Sequence, residues 1–337
     1  MYMNSHRLKE ILSQIQKIKI AVIGDFAVDF YFQENTLTSE FSVETGKNVF
    51  WGYQPKGFLG GAGNVTKNLS ILGVKAFAFG AIGQDLFGRE MLFQCQSLAI
   101  DTTHLLPFSD IDTPTYTKPM WANVELNRID FGTQNKQFHY KSDTLIQQLE
   151  FEIAAYDWVV VNEQFQNPLL NKVSIKKLQT LINQHKKSSL ADLRNLGTEA
   201  TDIPLKVNES ELSAILKLSP KQLALDETLI AIIKNWVSQR KTGALVTLGA
   251  RGLIYASPTE FHWQAGIKSK GEIDTVGAGD TFNAGVLASL DAAGVLNKSD
   301  LDALPDAVLQ AALSLGNRAA AITVSRPGAN PPWAHEL

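Results

Sequence analysis

Residues 272–290 read Glu-Ile-Asp-Thr-Val-Gly-Ala-Gly-Asp-Thr-Phe-Asn-Ala-Gly-Val-Leu-Ala-Ser-Leu, and two patterns meet inside them. From Asp274 to Asp280 the composition is that of a turn, in which Gly277 and Gly279 permit backbone angles and close approaches that a side chain would block. From Thr281 onward Phe282, Val286, Leu287 and Leu290 recur at helical spacing, which predicts a buried helix starting just after Asp280. A helix start leaves backbone N–H groups unpaired and carries partial positive charge, so Gly277, Ala278, Gly279 and Asp280 form a candidate anion cradle. Asp280 itself reads in two ways. It is a plain N-cap, or it is a base that takes a hydroxyl proton while the cradle holds a transferring phosphoryl group.

Outward from this stretch, strand-like and helix-like segments alternate. Strands are expected at 20–23, 76–79, 158–161, 190–193, 205–207 and 244–248, with helices at 87–98, up to about 185, and through 216. A short amphipathic helix is expected before the first strand, carrying Leu8, Ile11, Leu12 and Ile15. Alternation of this kind predicts a doubly wound, mainly parallel α/β sheet flanked by helices, in a single domain, with ligands at the C-terminal strand ends. Asp25 and Asp29 lie at or just beyond such an end, as do Asn162, Glu163, Asp192, Arg194, Asn208 and Glu211. The turn Leu59-Gly60-Gly61-Ala62-Gly63-Asn64 opens a helix with Val65, Leu69 and Leu72 on one face. It suits a phosphate, a sugar ring approaching the backbone, or simply a tight turn. Thr247 to Gly252, with Gly249 inside it, is by itself an ordinary strand-to-strand turn, and Glu211 in a helix's first turn needs only the dipole as explanation. Two segments break the alternation, about 30–58 and 113–140, the second around a predicted hairpin. They read as extended structure forming a small β-strand lid. Their scattered aromatics serve as lid core, sugar-stacking surface or a homodimer face.

The 337 residues are 45% hydrophobic, enough for a sizeable core, and their formal net charge is -3 with acids and bases mixed. Such a balance gives no electrostatic footprint for nucleic acid or an anionic membrane. Cys95 is the only cysteine, which excludes an intrachain disulfide and a thiolate zinc cluster. No run approaches the roughly 18 apolar residues of a membrane span, and residues 1–19 lack a signal-peptide core, so a cytoplasmic protein is expected. Neither glycine cluster completes a Walker loop or a Gly-x-Gly-x-x-Gly fingerprint.

Asp274-Thr275-Val276-Gly277-Ala278-Gly279-Asp280-Thr281-Phe282-Asn283-Ala284-Gly285 resembles the C-terminal signature of the PfkB (ribokinase-like) carbohydrate kinases. Gly60-Gly61-Ala62-Gly63-Asn64-Val65-Thr66, with Gly73 and Gly83, resembles the N-terminal one. The resemblance spans about residues 20–332 and implies ATP-dependent phosphorylation of a sugar or sugar-phosphate hydroxyl. On it Asp280 is the base and the amides of Gly277 to Asp280 the anion hole. Asp25 or Asp29, with Gly60, Gly61 and Asn64, would hold the sugar. Asn208 and Glu211 match the family's Asn-x-x-Glu motif, which organises Mg²⁺ and its waters. Thr247, Gly249 and Gly252 match the ATP-binding turn, and Asn317 the adenine pocket. Asp274 and Val276 would help hold a monovalent cation such as K⁺. Gly24 to Tyr31 and Glu125 to Phe131 look like the heptose-phosphate kinase branch, the kinase half of ADP-heptose synthesis, which makes Arg128 the candidate for the acceptor's distal group. A nucleoside kinase on the same fold, or a non-catalytic sugar or nucleotide sensor, are the rival expectations. No nucleotidyltransferase domain follows in this sequence.

Overall fold

The computed structural model describes residues 13–122, 124–135, 138–240, 242–267, 277–295, 305–326 and 330–337. The expected helix around Leu8 to Leu12 therefore lies outside the described residues. β1 (Lys19–Gly24) is a continuous apolar run buried on both faces, as a central parallel strand requires. The chain then leaves for an antiparallel pair, β2 (Phe26–Asn35) and β3 (Trp51–Gly61), and returns through α1 (Ala62–Ile71) to β4 (Lys75–Gly83). α2 (Leu86–Ser97) and β5 (Asp101–Phe108) follow, and β6 (Thr115–Trp121) and β7 (Val124–Glu125) rejoin β2. Next come α3 (Ser142–Glu152), β8 (Trp158–Glu163), α4 (Lys172–Gln184), β9 (Ser188–Leu193), β10 (Leu205–Asn208), α5 (Glu209–Leu216), α6 (Pro220–Leu223) and α7 (Asp226–Arg240). β11 (Ala244–Thr247), β12 (Leu253–Ala256), β13 (Phe261–Gln264), α8 (Ala278–Ala292) and α9 (Asp306–Val324) complete the order.

Nine strands form one sheet in the order β13-β12-β11-β10-β9-β8-β1-β4-β5. It is parallel from β5 to β11, with β12 and β13 added antiparallel. One core, holding Val65, Met91, Phe282 and Leu313, covers one face beneath α1, α2, α8 and α9; the other, holding Leu149, Leu178 and Ile233, covers the opposite face beneath α3, α4 and α7. This is the expected doubly wound sheet. Three strands have no predicted range: β12 and β13 at one edge, and β5, Asp-Thr-Thr-His-Leu-Leu-Pro-Phe, at the other, too polar to read as a strand. At that edge position of β5, Pro107 is tolerated because only one side of the strand must pair.

The lid is a second sheet in the order β3-β2-β6-β7, and its strands run inward to Phe26 and Gly61. The predicted hairpin is shorter than expected. Beyond Glu125 the chain returns beside β6 without a ladder, tied by the Thr115–Phe131 bridge and by the Thr117 hydroxyl, which donates to Ile129 O at 2.6 Å. Phe87 of α2 latches this sheet to the body, its ring 5.5 Å from Phe30 and 5.5 Å from Phe131. α9 is long and apolar enough to cross a bilayer by those two measures alone. Its apolar residues instead meet α8 at a crossing so close that a Cβ on Gly285 would lie 2.8 Å from Gly316 Cα.

Candidate active site

α8 starts at Ala278, three residues earlier than the sequence pattern predicts, so Asp280 lies inside the first turn instead of ahead of it. The first intrahelical bond runs from Thr281 N to Gly277 O at 3.0 Å, which leaves the amides of Ala278, Gly279 and Asp280 at the helix's positive end. Asn64 Nδ2, from the first turn of α1, donates to Asp280 Oδ2 at 2.6 Å and fixes the carboxylate. Asn64 is itself held by Asn68 Nδ2, which donates to its backbone O at 2.6 Å. Burial pushes the Asp280 pKa up to about 6; the Asp192 charge adds to the shift, while Lys206 and the Asn64 hydrogen bond oppose it.

Beneath the turn lies a charge cluster that the motifs did not disclose. Lys206, buried on β10, places its Nζ 3.1 Å from Asp192 Oδ2 on β9, and a Cβ on Gly279 would come within 3.3 Å of that Nζ. Burial pulls the Lys206 pKa down, but the Asp192, Glu211 and Asp280 carboxylates outweigh it and hold it above the ordinary value. Asn283 Nδ2 donates to Asp192 Oδ2 at 3.0 Å, while its buried Oδ1 has no partner among the described residues. Burial raises the Glu211 pKa, Lys206 opposing. Three carboxylates thus surround one ammonium, and a dication fits both that charge and the orphaned oxygen. Asn208 and Glu211 also form a capping box, with Asn208 N donating to Glu211 Oε2 at 2.8 Å and Glu211 N donating to Asn208 Oδ1 at 2.9 Å. Among the described residues this leaves Glu211 Oε1 without a hydrogen-bond partner, and it engages the Asn208 side-chain oxygen at the helix start.

On the lid side, a cavity of about 410 Å³ is lined by Asp29, Gly61, Tyr116, Lys118, Arg128 and Arg194 among others, a size suited to a monosaccharide derivative. Lys118 Nζ lies 3.0 Å from Asp29 Oδ1 and donates to the Tyr31 hydroxyl at 3.0 Å. Arg128 pairs with Asp130 at 2.7 Å and lies over the Tyr116 ring. Arg194, from the end of β9, donates to Gln164 O at 3.2 Å and has no carboxylate partner among the described residues. Gly60 makes room for this arrangement, since a Cβ there would lie 3.1 Å from Asp29 Oδ2.

Two expected sugar ligands are otherwise engaged. Asp25 is fully buried, and its carboxylate accepts backbone N–H bonds from Gln164 (2.8 Å), Phe165 (3.0 Å) and Leu169 (2.8 Å). Burial nevertheless pushes its pKa up to about 7 against those three donors. Asn64 is buried and spends its side-chain amide on Asp280, which it orients. Asp25→Ala is therefore expected to act on stability, because three amides lose their acceptor at roughly 1–3 kcal/mol each before relaxation. A thermal melt should fall steeply, whereas a raised acceptor KM with unchanged melting would restore the sugar-ligand role. Thr247, Gly249 and Gly252 form the turn from β11 into β12, Arg251 within it binding Glu209 and Asp226. Asn317 Nδ2 donates to Ala265 O at 2.9 Å across that edge. Asp274 and Val276 lie outside the described residues.

The sequence matches the family described as pfkB family carbohydrate kinase over residues 17–336. It is 28% identical over 312 residues to the bifunctional protein HldE of Helicobacter pylori strain HPAG1, covering 92% of this chain and 63% of that one. The chain therefore spans less than two thirds of that curated relative. Among solved structures, the ribokinase of Giardia lamblia superposes with a TM-score of 0.70 at 20% identity, covering 93% of this chain and 94% of that one. The ribokinase of Cryptococcus neoformans var. grubii serotype A, solved with ADP, gives 0.66 at 20% identity, covering 93% and 95%. With a ribokinase-like fold and the family match over nearly its whole length, this chain belongs to the pfkB family of carbohydrate kinases.

Proposed function

We propose that this chain transfers the γ-phosphoryl group of ATP to a hydroxyl of a sugar or sugar phosphate. The observation that carries the reading is the Asp280 carboxylate, fixed by Asn64 in the first turn of a helix where Gly279 lies beside the buried Lys206 ammonium. Asp280 accepts the hydroxyl proton, and its pKa near 6 leaves it ionised at neutral pH yet basic enough to share that proton. The amides of Ala278, Gly279 and Asp280, with Lys206, face the phosphoryl oxygens where charge accumulates. Glu211 and Asp192 would hold Mg²⁺, which would supply further charge neutralisation. Thr247, Gly249, Gly252 and Asn317 border the nucleotide side. A K⁺ site at Asp274 and Val276 rests on sequence likeness alone. The work draws on the ATP pool and belongs in the cytoplasm.

For the acceptor, Asp29 and the Gly61 backbone suit hydroxyls, and Arg128 with Arg194 suits a distal phosphate of the heptose-phosphate type. ADP release screened over sugars, sugar phosphates and nucleosides tests the class; a nucleoside as the best acceptor would overturn it. Arg128→Ala and Arg194→Ala are each expected to lose about 1.5–3 kcal/mol of preference for a sugar phosphate over its parent sugar, read as the ratio of kcat/KM values. Equal losses for both acceptors would make these arginines braces of the lid. The outer lid exposes Phe41, Phe50, Trp51, Tyr53 and Val124, a surface suited to a second copy of this chain, which sedimentation would detect.

A further inference from the structure

Away from the kinase groups, the last strand of the large sheet and the last long helix bring three ligand atoms to one point. Glu260 and His262 are two residues apart at the start of β13, so their side chains leave the same face. His262 Nε2 lies 3.3 Å from Asp306 Oδ1, in the first turn of α9, and 3.8 Å from Glu260 Oε2, and the three ligand atoms all lie within 4.8 Å of one another. A triangle with such sides contains a point about 2.4 Å or less from every corner, close to the roughly 2.0–2.2 Å bonds that Zn²⁺ makes to imidazole nitrogen and carboxylate oxygen.

Charge argues the same way. Among the described residues neither Glu260 nor Asp306 has another ion-pair partner, so with a neutral ring two negative charges face one nitrogen lone pair. We infer that Glu260, His262 and Asp306 form a site for one divalent transition cation, Zn²⁺, Co²⁺ or Ni²⁺, in a tetrahedron completed by water. Asp306 is 69% exposed on its side chain, which leaves that fourth position open to solvent, whereas His262 at 17% is held against the Tyr255 ring. A mixed nitrogen and oxygen set of this kind suits borderline cations better than Mg²⁺.

The site has a structural consequence. Among the described residues two side-chain hydrogen bonds already join β13 and its exit to α9: Gln264 Nε2 donates to Ser314 Oγ at 3.0 Å, and Asn317 Nδ2 donates to Ala265 O at 2.9 Å. A cation on Glu260, His262 and Asp306 adds a third tie at the far end of the same seam and pins the edge strand to the helix.

The test uses the full chain stripped of metal, titrated with Zn²⁺ and Co²⁺ by calorimetry, with visible absorption of the Co²⁺ form and thermal melting in parallel. One saturable equivalent that depends on His262, distinct from any cation at Glu211 and Asp192, is expected, with a tetrahedral Co²⁺ spectrum and a raised melting temperature. His262→Ala and Asp306→Asn should each weaken binding at least about tenfold, and Glu211→Gln should leave it intact. If His262→Ala folds poorly, His262→Gln keeps the volume and should show the same loss. The inference is overturned by the absence of saturable binding, by His262 variants that bind as wild type does, or by melting that responds to pH but not to metal. The last result would leave an ion triad only.

Discussion

Asp280→Asn is expected to lower turnover by roughly 10²- to 10⁴-fold, the usual contribution of a general base, and at the same time to stabilise the protein at neutral pH. Both effects come from one carboxylate. Burial raises its pKa from 3.8 to about 6 in the folded chain, so the folded state holds the proton more tightly than the unfolded state. Stability from this group therefore falls as pH rises from about 3.8 to about 6, and the full penalty is present above that range. At about 1.4 kcal/mol per pKa unit the penalty is on the order of 3 kcal/mol, and asparagine, which never ionises, removes it. Melting curves of wild type and variant should diverge between about pH 3.8 and 6 and stay apart above it, the variant being higher at pH 8, while kcat/KM of the wild type rises with pH through about 6. Retention of more than about a tenth of wild-type turnover would remove Asp280 from the chemistry.

Lys206→Met is expected to cost activity and stability together. It withdraws the ammonium from the anion turn and leaves Asp192 buried without its partner 3.1 Å away, and breaking one side of such a pair typically costs about 3–5 kcal/mol. Denaturant unfolding should show that loss, with turnover falling in parallel. The double variant Lys206→Met with Asp192→Asn separates the two effects: stability should largely return because no uncompensated charge remains, whereas turnover should not. Recovery of turnover in the double variant would restrict Lys206 to a structural role.

Asp280 was legible in the sequence and Lys206 was not, for a physical reason. A glycine-rich turn running into a helix is a local pattern, so its anion cradle can be read from a dozen consecutive residues. The Lys206–Asp192 pair exists because β10 pairs with β9 in the register that sets those two residues side by side, and no local pattern fixes a parallel register. Arg194 enters the acceptor cavity by the same route, carried there by the end of β9. The parallel sheet was legible because its strands are short apolar runs separated by helices. β5 was not, since an edge strand buries only part of its surface and can be polar. Asp25 shows the converse: a carboxylate at a strand end looks like a ligand, and only the packing of residues 164–169 around it reveals an acceptor already saturated by amides.

The Phe87 latch bears on the pace of the catalytic cycle. The lid's root is fixed where Ala62 N, at the start of α1, meets Asp25 O, just after β1, at 2.7 Å, and within the lid Val28 N meets Pro114 O at 2.9 Å. To empty the acceptor cavity, the outer lid has to peel from Phe87 while that root holds. Two aromatic contacts resist it, each contributing about 0.5–1.5 kcal/mol beyond its buried area. On the proposed reaction the open form is expected to be a minority state and departure of product to limit turnover, and a Phe87→Ala variant that turns over no faster than wild type would remove the latch from that role.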